Sequence, residues 1–231
     1  MVVLIFGSTG SAGGSVLRVC LEAPRVTAVR VIARRPVDHT DQKLSVRVHG
    51  DFQNFAAVAD AFAGVDACLY CLGVSATQVP DEPTYRTITH DFALAAAKML
   101  LERSPDAIFH FISGAGSRPD SRFMWARVKA ETERDLIDLV DAVCWRPAFI
   151  DGENSKNAPR LYQALRPLAR LLRPFKSMYV KGEDIGRAML QATVDERAGG
   201  IVENAEIRSL AGRYAVSHAA TRHTGGANSA R

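Results

Sequence analysis

No apolar run in this chain reaches the length that a bilayer-crossing helix needs. No basic leader precedes the apolar residues at the N-terminus, so residues 1–6 are expected to form a first strand and not a signal peptide. Cysteine is scarce: Cys20, Cys68, Cys71 and Cys144 are the four in 231 residues. Cys68 and Cys71 form a C-x-x-C, yet no second pair completes a zinc site. In an expected strand over 67–72 their side chains point to opposite faces. No metal site is expected, and buried thiols suit a reducing, cytoplasmic location. Aromatic residues make up 7% of the chain, and no tyrosine lies between Tyr85 and Tyr162. Acidic residues are absent from 213 onward, where Arg213, Arg222 and Arg231 carry three of the four net positive charges. The remainder is nearly neutral, which argues against a nucleic-acid surface.

What is present is alternation. Strands are expected at 2–6, 28–33, 45–49, 67–72, 107–112 and 142–145. Helices are expected at 12–23, 54–62 (short), 83–103 and 122–140. A βαβ rhythm of this kind implies a parallel sheet covered on both faces, the α/β doubly wound Rossmann fold. After residue 146 the rhythm breaks at Pro147, Pro159, Pro167 and Pro174. Helices at 160–172 and 183–194 and short strands near 200–202 and 206–210 are expected there. We read residues 1–212 as one domain, with a small C-terminal substrate-side lobe at about 147–212. The tail from 213, rich in Ala, Ser, Thr, Gly and His, is expected to be disordered. Arginines 160, 166, 170 and 173 alternate with leucines in the lobe. That pattern is read as a pocket-covering helix with a solvated basic face; peripheral membrane contact is the lesser reading.

Directly after the first strand stands Gly7-Ser8-Thr9-Gly10-Ser11-Ala12-Gly13. A glycine turn between a strand and a helix lets backbone approach a pyrophosphate and aims the helix N-terminus at it. An acid about 20 residues on, at the end of the second strand, usually binds the adenosine ribose. That place holds Arg34 and Arg35. A guanidinium there can pair with a 2′-phosphate, so NADP(H) is favoured over NAD(H). Asp51 and Phe52, after the third strand, have two open readings: contact with the adenine, or an N-cap by Asp51 for the short helix.

With the glycine turn, Arg34, Asp51-Phe52, Cys71-Leu72-Gly73, Ser113, Lys129 and Arg146-Pro147 in this order, the chain resembles the atypical short-chain dehydrogenase/reductases. It looks most like their Tat-interacting-protein-like, NAD(P)-binding branch, over about residues 1–212. The resemblance implies that Cys71, Leu72 and Gly73 line the nucleotide, and that Arg146-Pro147 contacts the nicotinamide and shapes the substrate pocket. It implies that Ser113 binds the substrate oxygen and that Lys129 holds the nicotinamide ribose and serves a catalytic Tyr-x-x-x-Lys. Here that motif reads Trp125-Ala126-Arg127-Val128-Lys129. An indole N–H donates only and does not ionise in the useful range, so general acid–base chemistry needs another donor. Tyr85 and His90, near the long helix after the fourth strand, are other candidate proton carriers, and Lys129 could act through water. Three functions remain: an oxidoreductase on a small organic substrate, a nucleotide-binding regulatory protein with a protein partner, and an isomerase that reuses the pocket.

Overall fold

β1 (Val2–Phe6) is apolar at every position, without alternation, and all but its first residue is buried. A strand of that composition belongs in the middle of a sheet with both faces covered, and that is where it lies. The computed structural model describes residues 1–152 and 174–225. Around β1 it places β2 (Ala28–Ala33), β3 (Leu44–Val48), β4 (Ala67–Tyr70), β5 (Ile108–Ile112), β6 (Val143–Arg146) and, after the short β7 (Phe149–Asp151) and β8 (Tyr179–Lys181), β9 (Gly200–Glu203). The seven-stranded sheet runs β3-β2-β1-β4-β5-β6-β9. Every pairing in it is parallel. β7 and β8 pair with each other as a separate parallel ribbon.

The helices are α1 (Ser11–Glu22), α2 (Glu82–Arg86), α3 (Phe92–Arg103), α4 (Met124–Val140), α5 (Gly182–Val194) and α6 (Asn204–Gly225). α1, α5 and α6 cover one face, packing Val16, Met189 and Leu210 on Val3, Ile5, Val31 and Trp145. α3 and α4 cover the other, over Leu4, Phe6, Tyr70, Phe109 and Phe111. Phe6 is the hub of this second core, with the rings of Phe52, Phe55, Phe62 and Tyr70 all within about 6 Å of it. Cys68 packs in the second core and Cys71 against the first, so the two thiols do face opposite ways. Burial pushes the Cys68 and Cys71 thiols up, far from thiolate chemistry.

Chain direction across the sheet reverses between β1 and β4. β2 and β3 step away on one side, and β4, β5, β6 and β9 on the other. Such a switch point opens a crevice at the strands' carboxyl ends, where doubly wound proteins take their ligands.

Four local expectations change. The short helix over 54–62 is a tight turn of helix at Ala56–Phe62, kinked at Val58. The long helix over 83–103 divides into α2 and α3 across a widened turn, Thr87–Asp91, in which the Phe92 N–H reaches the Thr87 carbonyl. Residues 206–210 lie inside α6 and not in a strand. α6 runs on to Gly225, and Tyr214, within the expected tail, is buried against the first core. The expected helix at 160–172 falls outside the described residues.

Candidate functional site

The glycine turn is built as its spacing requires. Gly7 ends β1 at φ +72°, and a Cβ on it would stand 2.6 Å from the Cys71 backbone. A Cβ on Gly13 would lie 2.0 Å from the Gly7 carbonyl oxygen, so helix and strand can close only over glycine. The Gly10 N–H donates to the Gly7 carbonyl (2.9 Å) and the Gly14 N–H to the Gly10 carbonyl (2.9 Å). Gly10 offers no side-chain cap to α1. The N–H groups of Ser11, Ala12 and Gly13 therefore have no intrahelical acceptor, at the positive end of the helix dipole. The hydroxyls of Ser8 and Ser11 are buried there, and neither has a hydrogen-bond partner among the described residues. A buried, unsatisfied hydroxyl costs about 1–3 kcal/mol. Amides and hydroxyls collected at one helix start suit a phosphate, and the fit is to the pyrophosphate of a dinucleotide. Thr9 stands exposed at the tip of the turn. Cys71, leading into Leu72 and Gly73, donates its N–H to the Phe6 carbonyl (3.1 Å) and so brings that turn beside Gly7.

At the end of β2, Arg34 and Arg35 are both exposed. No partner is recorded for either guanidinium among the described residues. Beyond β3, Asp51 neither caps the Ala56–Phe62 turn nor faces inward. Its carboxylate is exposed and accepts from the Gln53 N–H (3.0 Å), while Asn54 accepts from Ala56. Phe52 is 2% exposed, its ring enclosed by Phe6, Phe55 and Phe92. Of the two readings of Asp51-Phe52 the N-cap is not formed, and the Phe52 ring packs in the core while Asp51 stays exposed beside it.

The ends of β5 and β6 meet α4. Ser113 follows β5 and its N–H donates to the Trp145 carbonyl (2.7 Å). The Ser117 hydroxyl donates to the Gly114 carbonyl (2.8 Å), so the Ser113 hydroxyl, 3.1 Å away, is the donor to Ser117. Lys129 Nζ donates to the carbonyls of Ser113 (2.6 Å) and Ile112 (3.3 Å). Burial pulls the Lys129 pKa down to about 8, against a smaller upward pull from Glu133. Trp125, one turn earlier on the same face of α4, lies on the Ser113–Ser117 loop. A Cβ on Gly114 would be 3.7 Å from the indole and one on Gly116 3.9 Å from it. The Gly114 position is also 3.8 Å from Lys129 Nζ, so indole and ammonium share one seat.

The Arg-Pro step is used differently from the expectation. Arg146 grips the buried Glu133 carboxylate with two hydrogen bonds (2.9 and 2.6 Å) and reaches Glu203 with a third (3.1 Å). The bond to Glu133 raises the arginine's pKa further. This guanidinium is committed to Glu133 of α4. The Pro147 carbonyl accepts the Ala115 N–H (3.0 Å) and holds the loop on which Trp125 rests.

Tyr85 is buried, and burial raises its phenol's pKa. His90 has Asp91 on Nδ1 (2.7 Å) and Asp135 on Nε2 (2.9 Å). It is the last rung of a ladder the sequence analysis did not find: Glu82–Arg127, Arg86–Glu131 and His90–Asp135. The signal was there, since each set recurs every four residues and every pair is 45 residues apart. His90, Glu131 and Asp135 could in principle hold a metal, but Arg86 and Arg134 already neutralise the two carboxylates.

No protein-family model matches the chain. It is 27% identical over 195 residues to the mitochondrial protein FMP52 of Saccharomyces cerevisiae, spanning 80% of this chain and 84% of that one. To the FMP52 protein of Eremothecium gossypii it is 25% identical over 220 residues, spanning 91% and 97%. Among solved structures, ADP-L-glycero-D-manno-heptose-6-epimerase of Helicobacter pylori superposes with a TM-score of 0.69 at 14% identity, over 92% of this chain and 81% of that one. A dTDP-glucose 4,6-dehydratase of Streptomyces venezuelae, solved with NAD and TYD bound, gives 0.66 at 17% identity, over 95% and 81%. A short-chain dehydrogenase/reductase of Saccharomyces cerevisiae gives 0.67 at 14% identity, over 88% and 95%. The chain therefore has the Rossmann-like fold of the short-chain dehydrogenase/reductases and sugar-nucleotide epimerases. The expected cytoplasmic location is overturned by the relatives' names, which place the fungal proteins in mitochondria.

Proposed function

We propose that this chain is an NADP(H)-binding oxidoreductase of the atypical short-chain dehydrogenase/reductase kind, of the Tat-interacting-protein-like branch, acting on a small organic substrate with an altered proton donor. The observation that carries the reading is the glycine turn, with its open amides and the buried hydroxyls of Ser8 and Ser11, which have no partner among the described residues. The Gly7–Gly13 turn would hold the pyrophosphate, with Leu72 and Gly73 beside it. Arg34 and Arg35 would take the 2′-phosphate. The bound nucleotide would supply or accept a hydride. Lys129 would lie along the nicotinamide side, and Ser113 would orient the substrate oxygen once its hydroxyl turns from Ser117. Arg146 acts one step back: by gripping Glu133 it fixes α4, and α4 fixes Lys129.

One observation favours a second reading. Trp125 occupies the position of the proton-donating tyrosine, which suits a protein that binds nucleotide and a protein partner without catalysis. Calorimetry with NADPH and NADH on the wild type and Arg34→Ala tests the first reading. NADPH should bind at least tenfold more tightly than NADH. Arg34→Ala should remove about 1.5–3 kcal/mol of that preference, the worth of a charged hydrogen bond. Equal affinity for both nucleotides refutes the phosphate assignment, and binding of neither refutes the reading. Binding without turnover on any carbonyl acceptor selects the regulatory alternative.

A further inference from the structure

The indole at position 125 is partly exposed and seated. One side of its environment is the glycine loop after β5; beside it lies the ammonium of Lys129. We propose that the site reduces planar conjugated dicarbonyls, the quinone class, stacked on Trp125, with Lys129 giving the proton to the oxyanion that develops. The proposal rests on the NADP(H) reading above.

Hydride addition to an isolated ketone creates an alkoxide, which calls for a strong hydrogen-bonding acid in the transition state. Hydride delivery to one quinone oxygen leaves an aromatic phenolate at the other, whose conjugate acid resembles a tyrosine side chain with a pKa of about 10. Such an acceptor has less need of a phenol at its oxygen. It needs a flat apolar seat and a nearby positive charge. Trp125 offers the first. For the second, four other ionisable groups among the described residues are engaged elsewhere or buried. Tyr85 is buried, and both nitrogens of His90 face carboxylates. The Tyr179 hydroxyl donates to Asp151, and Arg146 is bound to Glu133.

Lys129 directs two N–H groups to the Ile112 and Ser113 carbonyls, and an ammonium has a third. The charged groups around it, among the described residues, are Glu133 one turn along α4, Arg146 of β6 gripping Glu133, and Glu203 of β9 beyond Arg146. Glu133 is thereby largely neutralised, so burial dominates and the ammonium is acidic enough to protonate a phenolate.

The balance closes. A C–H bond of the reduced nicotinamide nucleotide would break, the hydride would form an O–H bond at one quinone oxygen, and the nucleotide would be left oxidised. The resulting hydroquinone anion takes one proton from Lys129 Nζ: the N–H bond breaks and an O–H bond forms. The neutral amine regains its proton from water. Two C=O groups have become two O–H groups.

The test has a binding arm and a kinetic arm, both with menadione. Without nucleotide, menadione should quench the wild-type tryptophan fluorescence saturably, because Trp145 is buried in the core and Trp125 is partly exposed. With NADPH, menadione should be reduced at least a hundredfold faster than cyclohexanone. Trp125→Leu should raise KM for menadione about tenfold with little change in kcat, the worth of one aromatic contact. Lys129→Gln should lower kcat about a hundredfold at saturating NADPH and remove a break in the rate profile near pH 8. A purely structural Lys129 would leave that break in place. NADPH binding with no saturable quenching overturns the quinone assignment, as does equal turnover of the two acceptors. A break that persists in Lys129→Gln overturns the lysine's role. Quenching without NADPH binding instead strikes the cofactor reading beneath.

Discussion

Acid should loosen this fold from within, through His110. Its ring is fully buried in β5. The Trp145 indole N–H donates to Nδ1 (3.2 Å), Nε2 faces the Thr193 hydroxyl (3.0 Å), and that hydroxyl reaches the Met189 carbonyl (2.9 Å). Because an indole can only donate, Nδ1 must accept, and the imidazole is the neutral tautomer with its hydrogen on Nε2. A second proton would point at the Trp145 N–H. Burial accordingly draws the His110 pKa from 6.5 to about 3. The unfolded chain takes up this proton near pH 6.5 and the folded chain does not until about pH 3. Between those limits the unfolded state binds more protons, so stability falls as pH falls and is unaffected above them. At about 1.4 kcal/mol per pH unit, this one group removes about 2.5 kcal/mol between roughly pH 6 and pH 4. That is a large share of the ~5–15 kcal/mol typical of a domain. Urea unfolding across this range, for the wild type and His110→Gln, isolates it. The carboxylates Glu131 and Asp135 titrate in both proteins and cancel in the difference. A wild-type-minus-variant difference that stays flat down to pH 4 would refute the reasoning.

Gly13→Ala should leave the sheet folded but lower nucleotide affinity about a hundredfold, because its Cβ meets the Gly7 carbonyl at 2.0 Å and forces open the turn. Thermal melting together with calorimetry checks both halves. Arg146→Met should destabilise the protein by about 3–5 kcal/mol in urea unfolding, since it strands Glu133 in the core, and adding Glu133→Gln should recover part of the loss. If the single variant loses less than about 1 kcal/mol, Glu133 is held by something other than Arg146.

The sheet and the glycine turn are legible in the sequence because each rests on short-range rules. An apolar run without alternation means a strand buried on both faces, and Gly7 and Gly13 allow one close approach between neighbouring elements. What was not legible depends on partners distant in sequence. The Arg146-Pro147 step looked like a cofactor contact, but the counter-ion Glu133 is buried only because of how α4 packs. Phe52 looked like an adenine neighbour, but it joins a ring cluster whose members come from three separate segments. Residues 206–210 were read as a strand from a short alternation, and helix packing on the first core overrides that local preference. The widened turn at Thr87–Asp91 has no compositional mark.

These long-range contacts hold α4, and two of them do not involve position 125. On one face, Glu82, Arg86 and His90 pair with Arg127, Glu131 and Asp135 at a constant offset. The partly exposed pairs Glu82–Arg127 and Arg86–Glu131 contribute about 0–1 kcal/mol each and set register more than stability, while His90 is buried between its carboxylates. On the other, Glu133 is buried and gripped by Arg146, and a buried pair is costly to break on one side. Lys129 lies one helical turn from Glu133, and its ammonium closes on the end of β5 through backbone carbonyls that no side-chain substitution removes. The lysine's position is thus set by the sheet and by Arg146. Position 125 is free to change chemistry while the ammonium beside it stays where it is.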